Sequence, residues 1–325
     1  MNPIILNDGR LLVPYMKILP SYAVLFSQPD FRMQKTDEEK ETTKNNFRKK
    51  NDGLHLSKKT QRKIENAVNW LLQLSEYKTI EINGKKVKSK LSFITLTLPT
   101  KQTHTDNEIK AKCLNQFLIE MKQRHPDFLY IWKTERQKND NIHFHITTNI
   151  TEHYQVIQRI WNRCVNKLGY VDEYTNNMKT KYKNGFLYDL RLQEKYGHSR
   201  EKQKQMYENS LKTGFREPHS TEIKSVRNIK NIAAYISKYI VKDINEDSKR
   251  IDGNLWSCSE LLSNMNITFD LLDVDFEFFK YPQKQNDFTT AIYASINHLL
   301  TTELKNKIIP KLEELFKLYA FQFSA

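Results

Sequence analysis

Phe128-Leu129-Tyr130-Ile131-Trp132-Lys133-Thr134, a turn at Asn139-Asp140-Asn141, and the run from Ile142 to Ile150 decide how this chain folds. Both runs are rich in aromatic and β-branched residues, and the residues between them suit a tight turn. The stretch therefore predicts two antiparallel strands joined as a hairpin. A hairpin turning at residues 138–140 pairs positions whose numbers sum to about 278, which sets Glu135 opposite His143. Side chains two apart on a strand share a face, so His143 and His145 point together while Phe144 faces the core. Opposed residues have Cβ atoms about 5 Å apart, so two imidazoles and one carboxylate converge with coordination positions left open. Such nitrogen and oxygen donors suit Mg²⁺ or Mn²⁺, and no nearby cysteine favours structural zinc. A one-residue slip would turn Glu135 to the other face, so the expectation rests on the register.

Working outward, Leu91 to Leu98 ends in alternating Thr and Leu before Pro99 and reads as a strand. Thr105 and Glu108 form a capping-box pattern that opens a helix with Ile109, Cys113, Phe117 and Met121 on one stripe. A second helix carries Val156, Ile160, Trp161, Val165 and Leu168, with Gly169 expected as its C-cap. Residues 175–222 are charged and sparsely apolar and read as a surface insertion; another helix is expected from Val226 to Lys242. Upstream, a Lys-rich stretch over 35–63 leads into a helix from near Ser57, with Ile64, Ala67, Val68, Leu71 and Leu74 at helical spacing. Near the end come an aromatic run, Phe269 to Phe279, and a helical pattern of Leu300, Leu304, Ile308, Leu312 and Leu315. The order strand–helix–strand–strand–helix predicts an α+β fold on a central antiparallel sheet flanked by helices. The expected divisions are a basic N-terminal extension over 1–87, a core domain over 88–262, and a C-terminal extension over 263–325, both extensions mostly helical.

Composition narrows the function. The 325 residues include 52 Lys plus Arg against 38 Asp plus Glu, a formal net charge of +14, and 38% are hydrophobic. That is enough apolar mass for a core, and the positive excess suggests a polyanionic partner, most simply nucleic acid. Only 8 glycines are present, and neither a P-loop nor a GxGxxG motif occurs, which excludes P-loop motors and Rossmann enzymes. Cys113, Cys164 and Cys258 form no CxxC pair, against a disulfide framework or a cysteine-ligated zinc. The apolar stretch from Leu11 to Phe26 is broken by Pro14, Lys17 and Pro20, so neither a signal peptide nor a membrane span is expected.

A second constellation is Tyr235-Ile236-Ser237-Lys238-Tyr239-Ile240-Val241-Lys242. On a helix, Tyr235, Lys238, Tyr239 and Lys242 lie along one face and Ile232, Ile236 and Ile240 along another. Chance alone supplies about 0.25 HxH triplets and about 0.8 YxxxY pairs in such a chain, so neither motif suffices by itself. Indeed a second pair, Tyr170 and Tyr174, brackets Asp172 and Glu173 and reads as structural. The conjunction is what points to phosphoryl transfer on a nucleic-acid backbone. A phenol, with a solution pKa near 10, attacks phosphorus only with help, from an ion that polarises the phosphate and from Lys238 beside it. The product would be a 5′-phosphotyrosine and a free 3′-hydroxyl, a reversible exchange that needs no ATP.

The ordered set of the Phe93–Leu98 strand, His143-Phe144-His145 and Tyr235-Ile236-Ser237-Lys238-Tyr239 resembles the HUH endonucleases. The closest likeness is to rolling-circle replication initiator (Rep) proteins of small single-stranded DNA phages and related bacterial elements. The stretch from Asp252 to Ser259 also looks like the Gly–Trp–Ser segment that follows the tyrosine helix there. The resemblance implies an HUH/RRM-like sheet and site-specific nicking and joining of a single strand or origin hairpin. It assigns His143, His145 and Glu135 to a Mn²⁺ or Mg²⁺ ion, Tyr235 and Tyr239 to nucleophilic attack, and Lys238 as the motif lysine. Both the one-tyrosine YxxK pattern and the two-tyrosine pattern are satisfied, so the order of attack stays open. A separate host helicase and polymerase are implied, in the cytoplasm of a bacterial host. Phosphate contacts are expected from Lys242, from Lys58, Lys59, Arg62 and Lys63, or from Lys179, Lys181 and Lys183. The alternatives are an HUH transposase, which keeps the same motif order, and a basic nucleic-acid-binding module that does not cut.

Overall fold

The structure is a computed structural model that describes residues 4–5, 9, 11–19, 23–29, 38, 58–82, 85–226, 250–265, 267–270, 283–285 and 289–292. Contacts divide the chain into two compact units. One holds 76–229 with 243–257, and the other gathers 1–75, 230–242 and 258–325.

The chain opens with strands β1 (Ile4–Ile5), β2 (Leu11–Ile18) and β3 (Ala23–Pro29), followed by helix α1 (Lys58–Leu74). The apolar stretch that sequence reading withheld from the membrane is thus a β-hairpin, burying Val13, Met16, Ile18, Ala23 and Leu25. Helix α1 buries Ile64, Ala67, Val68 and Leu71, as their spacing predicts, and Trp70 besides.

The other unit begins with a two-stranded ribbon, β4 (Lys78–Ile82) and β5 (Lys85–Ser89), and continues into β6 (Leu91–Leu96). A helix α2 then runs from Asp106–Ile109 through a π turn at Lys110–Leu114 into Asn115–Arg124. Thr105 and Glu108 close the expected capping box at its start. Strands β7 (Tyr130–Arg136) and β8 (Ile142–Thr148) form the hairpin, and helix α3 (Tyr154–Asn166) follows. Three further helices, α4 (Tyr170–Lys181), α5 (Leu190–Tyr196) and α6 (Arg200–Lys212), lead to β9 (Thr221–Val226), and β10 (Trp256–Cys258) comes later. The five strands order as β10-β7-β8-β6-β9, with β6–β9 antiparallel throughout their registered pairs. This is the antiparallel sheet the sequence predicts.

Pleat alternation sorts the sheet into two faces. Ile94, Leu96, Trp132, Phe144 and Ile146 pack in one core with Cys113, Phe117 and Met121 of α2 and Ile160, Trp161 and Val165 of α3. Trp161 Nε1 donates to Thr97 O at 2.7 Å, so this indole is buried with its polar edge satisfied. The opposite face carries Thr95, Lys133, Glu135, His143 and His145.

Some expectations need correction. Gly169 is not the C-cap of α3, whose last residue is Asn166 and whose C-cap is Lys167; in a left-handed conformation, φ +81°, it caps the start of α4. Residues 175–222 are not only a surface insertion: they hold α5, α6, most of α4 and the first residues of β9, which completes the sheet beside β6. Val226 ends that strand and does not open a helix; residues 227–242, like most of the run after Phe269 and the pattern over 300–315, lie outside the described residues. At the C-terminal end, α7 (Glu260–Asn264), β11 (Ile267–Asp270), β12 (Gln283–Gln285) and β13 (Thr289–Ile292) follow. Among the described residues, the extensions expected to be mostly helical contribute six strands to a second sheet, with β11 on β2 and β13 on β3.

A buried polar clamp fixes the hairpin turn. Asp106, 2% exposed, pairs with the Arg136 guanidinium, 5% exposed, and accepts from Gln102 Nε2 at 2.7 Å and Asp252 N at 3.0 Å. Gln102 Oε1 accepts from Ile142 N at 2.7 Å, and Asn141 Nδ2 donates to Thr100 O at 2.6 Å. Lys110 Nζ donates to Asp252 O, and at Gly253, φ +75°, an added Cβ would overlap Asn107 Oδ1. Asp106→Ala strands a buried guanidinium and is expected to cost about 3–5 kcal/mol in urea unfolding; a cost below about 1 kcal/mol, the range of a surface pair, would refute this role for the clamp.

Burial pushes the Lys110 ammonium from 10.5 down to about 8, against the pull of Asp106 and Asp252. The unfolded chain therefore binds more protons between these values, and stability rises as pH climbs through 8. Relative to Lys110→Met, the wild-type chain should gain stability between about pH 7.5 and pH 9.5; an unchanged difference would show that the ammonium is not desolvated.

Candidate metal centre

The expected register is the observed one. Glu135 faces His143, Lys133 faces His145, and His145 faces Thr95 across β8 and β6. Turn residue Asp140 adopts φ +64°, a left-handed conformation that Asp tolerates, and Gln137 N bonds Asn141 O at 2.9 Å. Glu135, His143 and His145 converge with their ligand atoms within 4.8 Å of one another. Two ligands each about 2.1 Å from one octahedral ion lie about 3–4 Å apart, so the trio is near coordinating dimensions.

Glu135 divides its oxygens. Oε1 lies 3.0 Å from Lys133 Nζ, whereas Oε2 lies 3.4 Å from His145 Nε2 and 3.6 Å from His143 Nε2. Burial alone would raise the Glu135 pKa, but His143, His145 and the Lys133 ammonium hold it far below the usual carboxylate range. Glu135 is therefore ionised at neutral pH. Burial lowers the His145 pKa, outweighing the pull of Glu135, which favours the neutral imidazole a metal requires. Thr95 Oγ1 sits 3.2 Å from His145 Nδ1, which leaves Nε2 for the cluster, and the Phe93 ring stacks on His145 with centroids 5.4 Å apart. Both ring nitrogens of His143 are buried without a hydrogen-bond partner. Buried donors or acceptors are seldom left so, and a cation between His143 and Glu135 would satisfy Nε2. The residues fit a divalent ion.

The remaining candidates separate. Tyr235, Lys238, Tyr239 and Lys242 lie outside the described residues. Lys59, Arg62 and Lys63 are exposed on α1, which Lys58 opens, and α1 belongs to the other compact unit. Lys179 and Lys183 are exposed, while Lys181 pairs with Asp189 at 3.5 Å. The Tyr170 reading holds: this side chain is 1% exposed and its hydroxyl accepts from Thr103 N and His104 N, each at 3.2 Å. Cys113, Cys164 and Cys258 are free, and burial pushes them to about 11, 12 and 11, so none is a thiolate nucleophile at neutral pH.

Sequence reasoning missed Lys133. The signal was present, since Lys133 lies two residues before Glu135 on one strand and so on the same face. At 3% exposure its ammonium is a buried charge held against the carboxylate.

Comparison with known proteins adds a family likeness. Residues 91–244 match a family model described as a replication-associated protein of the ORF2 kind. The matched span begins at the first residue of β6 and contains every residue of the cluster. No curated protein and no solved structure gives a significant match. The match is that of a replication protein and points to DNA as partner.

Glu135→Gln removes the charge that compensates Lys133, and Lys133→Met removes the charge that Glu135 faces. Each is expected to destabilise the chain by about 3 kcal/mol, with the double variant costing about 1–3 kcal/mol less than the sum. Additive costs in urea unfolding would show that the contact contributes no coupling.

Proposed function

We propose that this chain is a metal-dependent HUH-type nickase and strand transferase that initiates rolling-circle replication. The observation that carries the reading is the convergence of Glu135, His143 and His145 on one sheet face, inside the span that matches a replication-associated family. A bound Mg²⁺ or Mn²⁺ would supply Lewis-acid polarisation of the scissile phosphate. His143 and His145 offer Nε2 and Glu135 offers Oε2, while Lys133 keeps Oε1 occupied and the carboxylate ionised. Tyr235 or Tyr239 attacks phosphorus through its phenolic oxygen. The P–O3′ bond breaks, the 3′-oxygen leaves as a hydroxyl once protonated, and a 5′-phosphotyrosine remains. Lys238, three residues after Tyr235 and next to Tyr239 in the sequence, would hold the phosphate or take part in the proton's movement. Attack by a 3′-hydroxyl on that ester reverses the step and joins the strand. With a second phenol four residues on in the sequence, each tyrosine would hold an end while the other cuts, and the order of attack is for mutants to decide.

Lys58, Lys59, Arg62, Lys63 and Lys242 are proposed as phosphate contacts. The α1 cations sit at the positive end of the helix dipole, with no acidic residue in its first turn, a placement that favours an anionic partner. A host helicase and polymerase complete the cycle in this reading, set in a bacterial cytoplasm. Among the described residues no helix is long and apolar enough to cross a membrane.

The test is a labelled single-stranded origin oligonucleotide incubated with the chain and Mn²⁺, then resolved on a denaturing gel. A covalent protein–DNA band is expected; it should vanish with EDTA, with His143→Ala, and with Tyr235→Phe and Tyr239→Phe together. An adduct that survives the paired tyrosine change refutes the nucleophile assignment. Metal and DNA binding with no adduct on any origin strand would favour the non-cutting module.

A further inference from the structure

The β4–β5 ribbon takes no part in the cluster. Its register pairs Lys78 with Ser89, Thr79 with Lys88 and Glu81 with Lys86, and no third strand joins it among the described residues. Residues 76–90 contain five lysines and two glutamates. Lys86 and Lys88 are two apart on one strand and share a face with Thr79, and all three are exposed. An isolated two-stranded hairpin is only marginally stable in water, so its base needs anchoring. Here Ser89 Oγ donates to Leu91 O at 3.0 Å, both residues being buried, and the Lys90 ammonium lies over the Tyr77 ring at 5.2 Å. The ribbon thus projects from a fixed joint at the start of β6. Leu91 and Thr95, which touches His145, are four residues apart on that strand, about 13 Å, or about four base-pair rises.

We propose that the β4–β5 ribbon is a second DNA contact that takes duplex, with Lys86 and Lys88 on its phosphates. The proposal rests on the DNA-processing reading above and adds to it where the paired DNA beside the cleavage site is held. A two-stranded ribbon fits the major groove, about 12 Å wide. The exposed face offers the Lys86 and Lys88 ammonium groups and the Thr79 hydroxyl, which suits phosphates; its one ring, Tyr77 at the base, lies under the Lys90 ammonium.

The test compares the full chain with its Lys86→Ser, Lys88→Ser double variant by fluorescence anisotropy across a salt series. The probes are a DNA stem–loop of arbitrary sequence and a poly-dT strand. Loss of two phosphate contacts should lower the slope of log K against log salt by about 1.8 on the stem–loop and leave the poly-dT slope unchanged. Melting temperature should not move, since both side chains are exposed. An unchanged stem–loop slope would overturn the proposal and leave the lysines as solvated residues that guard the ribbon's edges against strand pairing. A loss confined to poly-dT, or equal on both probes, would overturn it too and assign the contact to single strands instead. Covalent adduct formation, read separately with Mn²⁺, reports on the nickase reading alone: a chain that never forms adducts still shows whether the ribbon binds duplex.

Discussion

The register of one hairpin governs the rest. Side chains on a strand alternate with a period of two, so a one-residue slip between β7 and β8 would bury Glu135 beneath the sheet and expose Phe144. Two forces prevent it. On the core side, Trp132, Phe144 and Ile146 are buried together against α2 and α3, and a slip would put Lys133 or His145 in their place. At the turn, Arg136, Asn141 and Ile142 are bonded from outside the hairpin by Asp106, Gln102 and Thr100, partners a shifted strand could not keep. The cluster is therefore a by-product of how the core and the turn are satisfied. Neither force involves a metal.

That coupling explains what could be read from the sequence. Hydrophobic alternation and turn chemistry are local signals, and they located both strands, the facing pair Glu135 and His143, and the capping box at Thr105. The signals that failed are long-range. Strand β9 is six residues with few apolar positions, separated from β6 by the whole hairpin and five helices, and among the described residues it pairs with β6 alone. Strands β2, β3, β11 and β13 bring the two ends of the chain into one sheet, and nothing in either segment names its distant partner. Gly169 was misassigned because a left-handed glycine marks the join between two helices equally well from either side. Lys133 is a different failure: its position was legible, but a lysine on a strand reads by default as solvent-facing, and its burial follows from tertiary context.

Lys133 also shapes which ion the cluster would hold. A carboxylate with both oxygens free can ligate in bidentate fashion, as large cations such as Ca²⁺ favour. With Oε1 at 3.0 Å from an ammonium, Glu135 is left with one oxygen to present, and the trio becomes three single donors. Three single donors would leave a bound Mg²⁺ or Mn²⁺ open to substrate oxygens and water. Two histidines and a carboxylate can also serve redox iron, so the donor set by itself names no reaction. The surroundings do more to separate these: the cluster lies in a basic chain, on a sheet face with a buried lysine that offsets the carboxylate's charge. A divalent ion would then keep nearly its full positive charge for an anionic ligand. In the nickase reading proposed above, phosphate and not dioxygen is the ligand such a field would attract.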